Sequence, residues 1–236
     1  MPKMKPRITR LDYGFALRVW LERMLPSDAK CYLDSAFAGD EGDAFKICGA
    51  APNEYRGWIA LAAYHLAVPN PGYRTIIRNV WNHDHQFFLA ATGHDRRLIR
   101  RMMKAGEFEH PWSGSIVVFR GTAGMSLAKA SKGLSWTLSR ETACFFGFRF
   151  VVQGADDPRL AGNPLVLKAD VHASDIVFWD DSLEEQEIVL RRDISAGLDP
   201  EPETWAATAK HVVECTKARE KERHEQYRRI GSAVQR

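Results

Sequence analysis

Apolar side chains recur at the three- and four-residue spacing of helices through the first part of the chain. This spacing predicts helices over 55–67, 74–90 and 94–108, with two prolines and a glycine separating the first two. Residues 1–50 carry shorter helical signals, and their Gly- and Asp-rich end, 38–53, predicts a loop. We therefore expect a mostly helical region after a short appended segment.

The pattern then changes to short β-branched runs separated by turn residues, which is typical of strands. Two short helices are predicted between the first two strands, over 123–131 and 140–146, with Ser139 as the N-cap of the second. A charged helix is expected beyond Pro202. Helices that precede a mostly antiparallel sheet define the α+β class. The predicted strands are 115–119, 148–152, 164–171, 175–179 and 186–194.

The composition, with 45% hydrophobic and 27% charged residues, is that of a globular protein. The longest apolar run, 58–68, is too short for the roughly 20 residues of a membrane span, and the N-terminus lacks the apolar core of a signal peptide. We expect a cytoplasmic protein without membrane contact. Its cysteines have no metal-ligand spacing, so we expect free thiols in a reducing compartment and no metal; they are Cys31, Cys48, Cys144 and Cys215.

Positive charge is clustered although the net charge is only +3. One face of the predicted helix 94–108 carries five basic side chains: Arg96, Arg97, Arg100, Arg101 and Lys104. Such a face either remains solvated or binds a polyanion such as RNA or DNA. The sequence leaves both interpretations open.

Three short motifs contain residue types suited to chemistry on a sugar: Phe119-Arg120-Gly121, Leu134-Ser135-Trp136-Thr137 and Glu185-Gln186-Glu187. Each has an ordinary structural explanation when taken alone. An arginine at a strand end forms surface ion pairs, a Ser-x-Thr caps a turn, and alternating glutamates line an exposed edge strand. All three lie at the start or end of predicted strands and follow one another in a fixed order, and this combination indicates a function more strongly than any one motif does.

Together these motifs resemble the arginine, serine and glutamate pattern of the mono-ADP-ribosyltransferase family, which includes toxin-like enzymes. The similarity is carried by VVFRGT, GLSWTLSRETACFFG and EEQEIVL, with Trp136 in the middle of the serine motif where the family commonly has threonine. The resemblance implies a helical lobe followed by a mostly antiparallel split β-sheet. It implies an N-terminal extension over 1–50, an ADP-ribosyltransferase-like domain over 51–195 and a C-terminal helical extension over 196–236.

The family's reaction removes nicotinamide from NAD through an oxocarbenium-like state, so NAD would be a substrate. A carboxylate beside the developing positive charge stabilises that state, and Glu187 would supply it. Arg120 would clamp the pyrophosphate with its planar fork, and Ser135 would hold Glu187 and the ribose in register. The further residues expected to contact NAD are Gly121, Trp136, Thr137, Phe145 and Phe146, although core packing is the favoured explanation for at least one of the two phenylalanines.

Glu185 is expected to meet the acceptor of the ADP-ribose group. Because side chains two apart on a strand share a face, it should lie beside Glu187. By resemblance, a glutamate at this position suggests modification of arginine, whose guanidinium a carboxylate can orient. The acceptor could be a protein side chain, RNA or DNA.

Two other functions fit the same residues. Water as the acceptor would make the chain an NAD glycohydrolase, and a fold that holds NAD or a partner without turnover would be a non-catalytic binding module. If the chain is an ADP-ribosyltransferase, analogy with the family suggests a bacterial or phage toxin. Its charged C-terminal helix could then bind an inhibitor or antitoxin protein.

Overall fold

The computed structural model describes residues 9–152, 162–182 and 185–234. The chain divides into two compact units. Unit 1 comprises Met1–His110 and Val177–Leu183, and unit 2 comprises Pro111–Ile176 and Glu184–Arg236. Neither the expected boundary near residue 50 nor that near 195 coincides with a boundary between these units.

Unit 1 is helical, as the apolar spacing predicts. Its helices are α1 (Arg10–Met24), α2 (Ser27–Phe37), α3 (Glu41–Ala50), α4 (Asn53–His65), α5 (Gly72–Ala91) and α6 (Arg96–Ala105). Their inward faces supply fully buried side chains such as Leu21, Ile47, Ile59, Ile76 and Trp81. The close approach of α4 and α5 requires Gly57, because a Cβ there would lie 2.2 Å from the Phe87 carbonyl oxygen.

The loop expected over 38–53 is wrong, since α3 occupies most of it. Asp40 starts this helix, and its carboxylate accepts a hydrogen bond from the Asp43 amide. Ala44, Ile47 and Cys48 of α3 are buried, so tertiary packing outweighs the poor helix propensity of glycine and aspartate. Residues 9–50 therefore fold as part of unit 1.

Unit 2 contains most of the strands: β1 (Ser115–Ala123), β2 (Ser135–Thr137), β3 (Pro164–His172), β5 (Glu187–Leu190) and β6 (Gly197–Leu198). With β4 (Ile176–Asp180), they form a six-stranded sheet in the order β4-β5-β2-β1-β3-β6. The pairs β1–β2, β1–β3, β2–β5 and β3–β6 are antiparallel. The α+β class is thus confirmed, as is the mostly antiparallel sheet.

The remaining helices of unit 2 are α7 (Leu127–Ala130), α8 (Arg140–Val152) and α9 (Trp205–Val234). The predicted strand over 148–152 is wrong, because α8 continues to Val152. The Ser139 hydroxyl caps α8, as predicted, by accepting a hydrogen bond from the Thr142 amide at 3.0 Å. From there α8 packs against β1 and α9, with Ala143 and Cys144 buried beside Trp205. This packing overrides the strand propensity of Phe and Val.

The strand predicted over 186–194 is shorter, because β5 ends at Leu190 and begins at Glu187. Gln186 has a φ of +48°, a left-handed conformation that interrupts extended backbone. Strand alternation therefore does not reach Glu185, and the expectation that it shares a strand face with Glu187 is wrong. Among the described residues, no helix has both the length and the apolar character to cross a membrane.

Candidate functional site

The three sequence motifs lie on neighbouring strands of unit 2, β1, β2 and β5. Thr137 of β2 pairs with Phe119 of β1 on one side and with Glu187 of β5 on the other. The fold therefore brings together Arg120, Ser135 and Glu187, which are far apart in the sequence.

The closest side-chain contact in this cluster joins Ser135 to Glu187. The Ser135 hydroxyl donates a short hydrogen bond to Glu187 Oε1. This contact follows from the register: Glu187 lies opposite Thr137, and Ser135 is two residues away on the same face of β2. Both side chains are half-buried, so the carboxylate is held in one orientation while part of it remains accessible.

Arg120 connects β1 to the backbone of β2. Its Nη1 donates a short hydrogen bond to the Ser135 carbonyl oxygen. Its Nε is buried and has no hydrogen-bond partner within the described part of the chain. Burial lowers the pKa of the guanidinium, and the charge of Glu187 partly opposes this effect. Arginine nevertheless remains protonated at neutral pH, so a buried cation stands close to the Glu187 carboxylate.

Gly133 covers the Arg120 guanidinium and was given no role from the sequence. A Cβ at Gly133 would lie 2.1 Å from Arg120 Cζ and 2.6 Å from Nη1, so any larger residue would displace the guanidinium from this position. Trp136 fixes this glycine by donating from Nε1 to the Gly133 carbonyl oxygen at 3.2 Å. The Trp136 side chain is only 2% exposed and pairs across strands with buried Ile188. It therefore packs into the core, on the opposite face of β2 from Ser135.

Thr137 links the serine motif to the chain segment before β5. Its hydroxyl donates to the Glu185 carbonyl oxygen at 2.6 Å and accepts from the Ser139 amide at 3.0 Å. Leu138 adds a backbone hydrogen bond to the Gln186 carbonyl oxygen at 3.3 Å. These bonds hold Glu185 and Gln186 in a fixed turn directly before Glu187.

The Glu185 side chain is half-buried, and burial raises the pKa of its carboxyl group. The positive charge of Arg149 on α8 opposes that increase. The Arg149 guanidinium also lies 5.6 Å from the centre of the Phe146 ring. Arg149 is thus a neighbour of Glu185 that the sequence motifs did not indicate, because it is displayed by a helix where a strand was expected.

The remaining predicted contacts lie on or against α8. Phe145 and Phe146 are half-buried, with ring centres 5.4 Å apart. At Gly121 the backbone of α8 comes so close that a Cβ would lie 1.7 Å from the Ala143 carbonyl oxygen. The absence of a side chain at Gly121 therefore allows α8 to pack across β1. This close packing explains why the residue at position 121 is glycine. Contact of these residues with NAD stays a prediction.

The cysteines are free, as predicted, and burial raises the pKa of Cys48 to about 12 and that of Cys144 to about 11. Thiols with such pKa values are protonated at neutral pH and are poor nucleophiles. Among residues 9–152, 162–182 and 185–234, no cluster of three or more His, Cys, Asp or Glu side chains is arranged to hold a metal ion. Comparison with protein-family models, curated proteins and solved structures finds no match for the chain.

Proposed function

We propose that the chain is a mono-ADP-ribosyltransferase that transfers ADP-ribose from NAD to a macromolecular acceptor and releases nicotinamide. The observation that carries this proposal is the Ser135 hydroxyl bound to the Glu187 carboxylate beside the Arg120 guanidinium. The resemblance of the sequence motifs and the α+β fold with an antiparallel sheet both support it.

Glu187 is the catalytic residue in this proposal. As the bond between the ribose and nicotinamide breaks, positive charge develops on the ribose, and a carboxylate fixed in advance stabilises it without reorganisation. The hydrogen bond from Ser135 provides that fixation. Removal of one preorganised electrostatic group from an active site typically reduces kcat by about 100-fold or more.

Arg120 would hold the NAD pyrophosphate. Its buried Nε is a donor with no partner among the described residues, and a bound anion would satisfy it. Its Nη1 meanwhile keeps the Ser135 backbone in place. Phe145 and Phe146 would offer aromatic faces to the nicotinamide ring.

The proposed acceptor is a macromolecule: either a protein side chain such as arginine, or RNA or DNA. The carboxyl group of Glu185 suits a guanidinium acceptor. A toxin-like role in a reducing, cytoplasmic setting, with an inhibitor or antitoxin as partner, extends the same family analogy.

Incubation with NAD labelled in the adenylate part tests the proposal. The full chain is mixed with cell lysate, and the products are digested in parallel with protease and nuclease. We expect label on macromolecules, lost with one digestion only, and at least a 100-fold slower reaction for Glu187→Gln. The matched control is Glu203→Gln, which changes an exposed glutamate of the same unit and should leave the rate unchanged.

Two results would contradict transfer. Release of nicotinamide with only free ADP-ribose as the second product would identify an NAD glycohydrolase. Binding of NAD without any nicotinamide release, equal in wild type and Glu187→Gln, would identify a non-catalytic module.

A further inference from the structure

Helix α1 of unit 1 exposes several large apolar side chains along its short length. Six of its 15 residues are of this kind: Leu11, Tyr13, Phe15, Val19, Trp20 and Met24. The same helix also buries Leu17 and Leu21 in the core of unit 1. A helix that is apolar on more than one side is normally covered on each of them, and exposed apolar patches mark interaction surfaces.

The exposed apolar residues lie on two different sides of α1. Tyr13 and Trp20 pack against aromatic rings of α4, with ring centres 4.9 to 5.9 Å apart, so they take part in packing within unit 1. Phe15 and Val19 are four residues apart, and therefore adjacent to each other on another side of the helix. Phe15 is 58% exposed and Val19 is 46% exposed.

The side of α1 that carries Phe15 and Val19 has an opposite charge at each end. Eleven residues span about three turns of a helix, so Asp12 and Arg23 lie on one side, near the start and the end of α1. Ala16 lies between them. We call these five exposed residues the α1 face: Asp12, Phe15, Ala16, Val19 and Arg23.

The order of the α1 face, acidic then apolar then basic, is complementary to itself when reversed. Two antiparallel copies related by a twofold axis would place Asp12 of each opposite Arg23 of the other. Phe15 of each copy would then lie beside Val19 of the other. Both hydrogen bonds that Thr9 donates to Asp12 end at Oδ2, so Oδ1 can still accept one from a guanidinium.

The apolar surface on this side of α1 is large enough for a small interface. Four large side chains on or beside the α1 face are 36% to 58% exposed: Leu11, Phe15, Val19 and Trp20. With about 200 Å² for each large side chain, they expose roughly 400 Å² per copy, or roughly 800 Å² in two copies. The charged rim adds to this area, so the contact approaches the about 1,000 Å² that a specific interface requires.

The charges of α1 disfavour a lipid surface as the occupant. Helices that bind membrane surfaces carry lysine and arginine beside their apolar side and face anionic headgroups. On α1, carboxylates lie next to the apolar residues, at Asp12 and at Glu22, which pairs with Arg18 at 3.2 Å. Anionic headgroups would repel these carboxylates, whereas a second copy presents Arg23 to Asp12.

We infer that the α1 face binds a second copy of this chain in a symmetric antiparallel dimer. Phe15 is the apolar anchor of the contact, and it packs against Val19 of the other copy. The two ion pairs between Asp12 and Arg23 fix the direction and register of the helices. The inference does not depend on the proposed transfer reaction, because association requires no NAD.

Charge reversal tests this inference by sedimentation equilibrium of the full chain. Wild type should dimerise with a Kd of about 10 μM, since the interface is small. Asp12→Arg and Arg23→Asp each place like charges opposite one another and should weaken association at least about 10-fold. A mixture of the two single variants restores both ion pairs and should associate within about threefold of the wild-type Kd. Recovery in the mixture also shows that both variants are folded.

Phe15→Gln should weaken the dimer at least about 10-fold. The matched control is Phe45→Gln, which changes a 63% exposed phenylalanine of α3 and should leave the Kd within about twofold of wild type. Three results would overturn the inference: a wild type that is monomeric at about 500 μM, no association in the mixture, or equal losses in both phenylalanine variants. Binding of wild type to vesicles of anionic lipid without self-association would also overturn it.

Discussion

Two contacts position the guanidinium of Arg120: a hydrogen bond from one of its nitrogens and the close approach of Gly133. Nη1 donates a hydrogen bond to the Ser135 carbonyl oxygen, and a Cβ built at Gly133 would lie 2.1 Å from Arg120 Cζ. A side chain at Gly133 would leave Arg120 chemically intact while moving it away from Ser135 and Glu187. Gly133 is therefore a positioning residue for the proposed reaction.

Gly133→Ala should lower kcat/KM for nicotinamide release by about 100-fold, because a displacement of about 1 Å in a positioned group can cost that much. The rate is measured alongside that of Gly197→Ala, where a Cβ would have no atom within 4 Å. The control should react like wild type. Full activity in Gly133→Ala would show that the position of Arg120 does not matter.

Glu185 gives the proposed arginine transfer a dependence on pH. Burial raises the pKa of its carboxyl above the ordinary value of 4.5, and only the ionised form can orient a guanidinium. Transfer to a small guanidine such as agmatine should therefore rise with pH through a midpoint above 4.5. Glu185→Gln should lose this transfer while still releasing nicotinamide to water, measured as free ADP-ribose.

The stability of Glu185→Gln provides the control. A raised folded-state pKa means that the folded state holds the proton more tightly than the unfolded state, so ionisation destabilises the fold as pH rises through and above 4.5. The variant should therefore match wild type below that pH and be more stable at pH 7. A variant that is less stable than wild type at pH 7, or guanidine transfer that is independent of pH, would contradict the proposed environment of Glu185.

The sequence predicts which residue types form the candidate site. It does not predict which neighbouring residues hold those side chains in place. Arg120, Ser135 and Glu187 stand out because arginine, serine and glutamate suit the chemistry of NAD. Gly133 carries no functional group, and its importance arises only when β1 and β2 come together. Trp136 shows the converse, since its place in the motif suggested NAD while its indole lies in the core.

At the scale of elements, periodicity predicted α4, α5 and α6 of unit 1 and β1, β3 and β5 of unit 2. It failed where tertiary packing decides the conformation. The run at 148–152 has strand propensity, yet Ser139 starts a helix that continues through it because α8 packs on β1 at Gly121. Likewise, α3 forms through a Gly- and Asp-rich stretch because Ala44, Ile47 and Cys48 become buried.

At the scale of the molecule, an ion pair between half-buried Arg140 of α8 and buried Asp199, which precedes α9, lies within unit 2. Arg140 donates to both carboxylate oxygens of Asp199, with Nη2 and Oδ2 2.7 Å apart, and Trp205 Nε1 donates to Oδ2 at 2.8 Å. Asp199 is only 3% exposed. The pair fixes α8, which follows the serine motif. The same ion pair therefore contributes both to the stability of unit 2 and to the position of the candidate site.

Asp199→Asn should reduce the free energy of unfolding of unit 2 by about 3 kcal/mol at pH 7, because loss of one partner leaves a poorly compensated charge in the protein. Burial would raise the pKa of Asp199, but hydrogen bonds from Arg140 and Trp205 outweigh burial and lower the pKa below the ordinary 3.8. A lowered folded-state pKa gives stability that is complete above 3.8 and is lost as pH falls through the folded-state value.

The difference between wild type and Asp199→Asn should therefore shrink as the pH falls below about 3.8, when measured by denaturant unfolding across pH. Asp170→Asn, which changes an exposed carboxylate on β3, is the matched control and should alter stability by less than about 0.5 kcal/mol. An equal loss at neutral and acid pH would mean that Asp199 contributes through packing and not through its charge. The ion pair would then have no part in holding α8, and the position of the helix would depend on its contacts with β1 at Gly121.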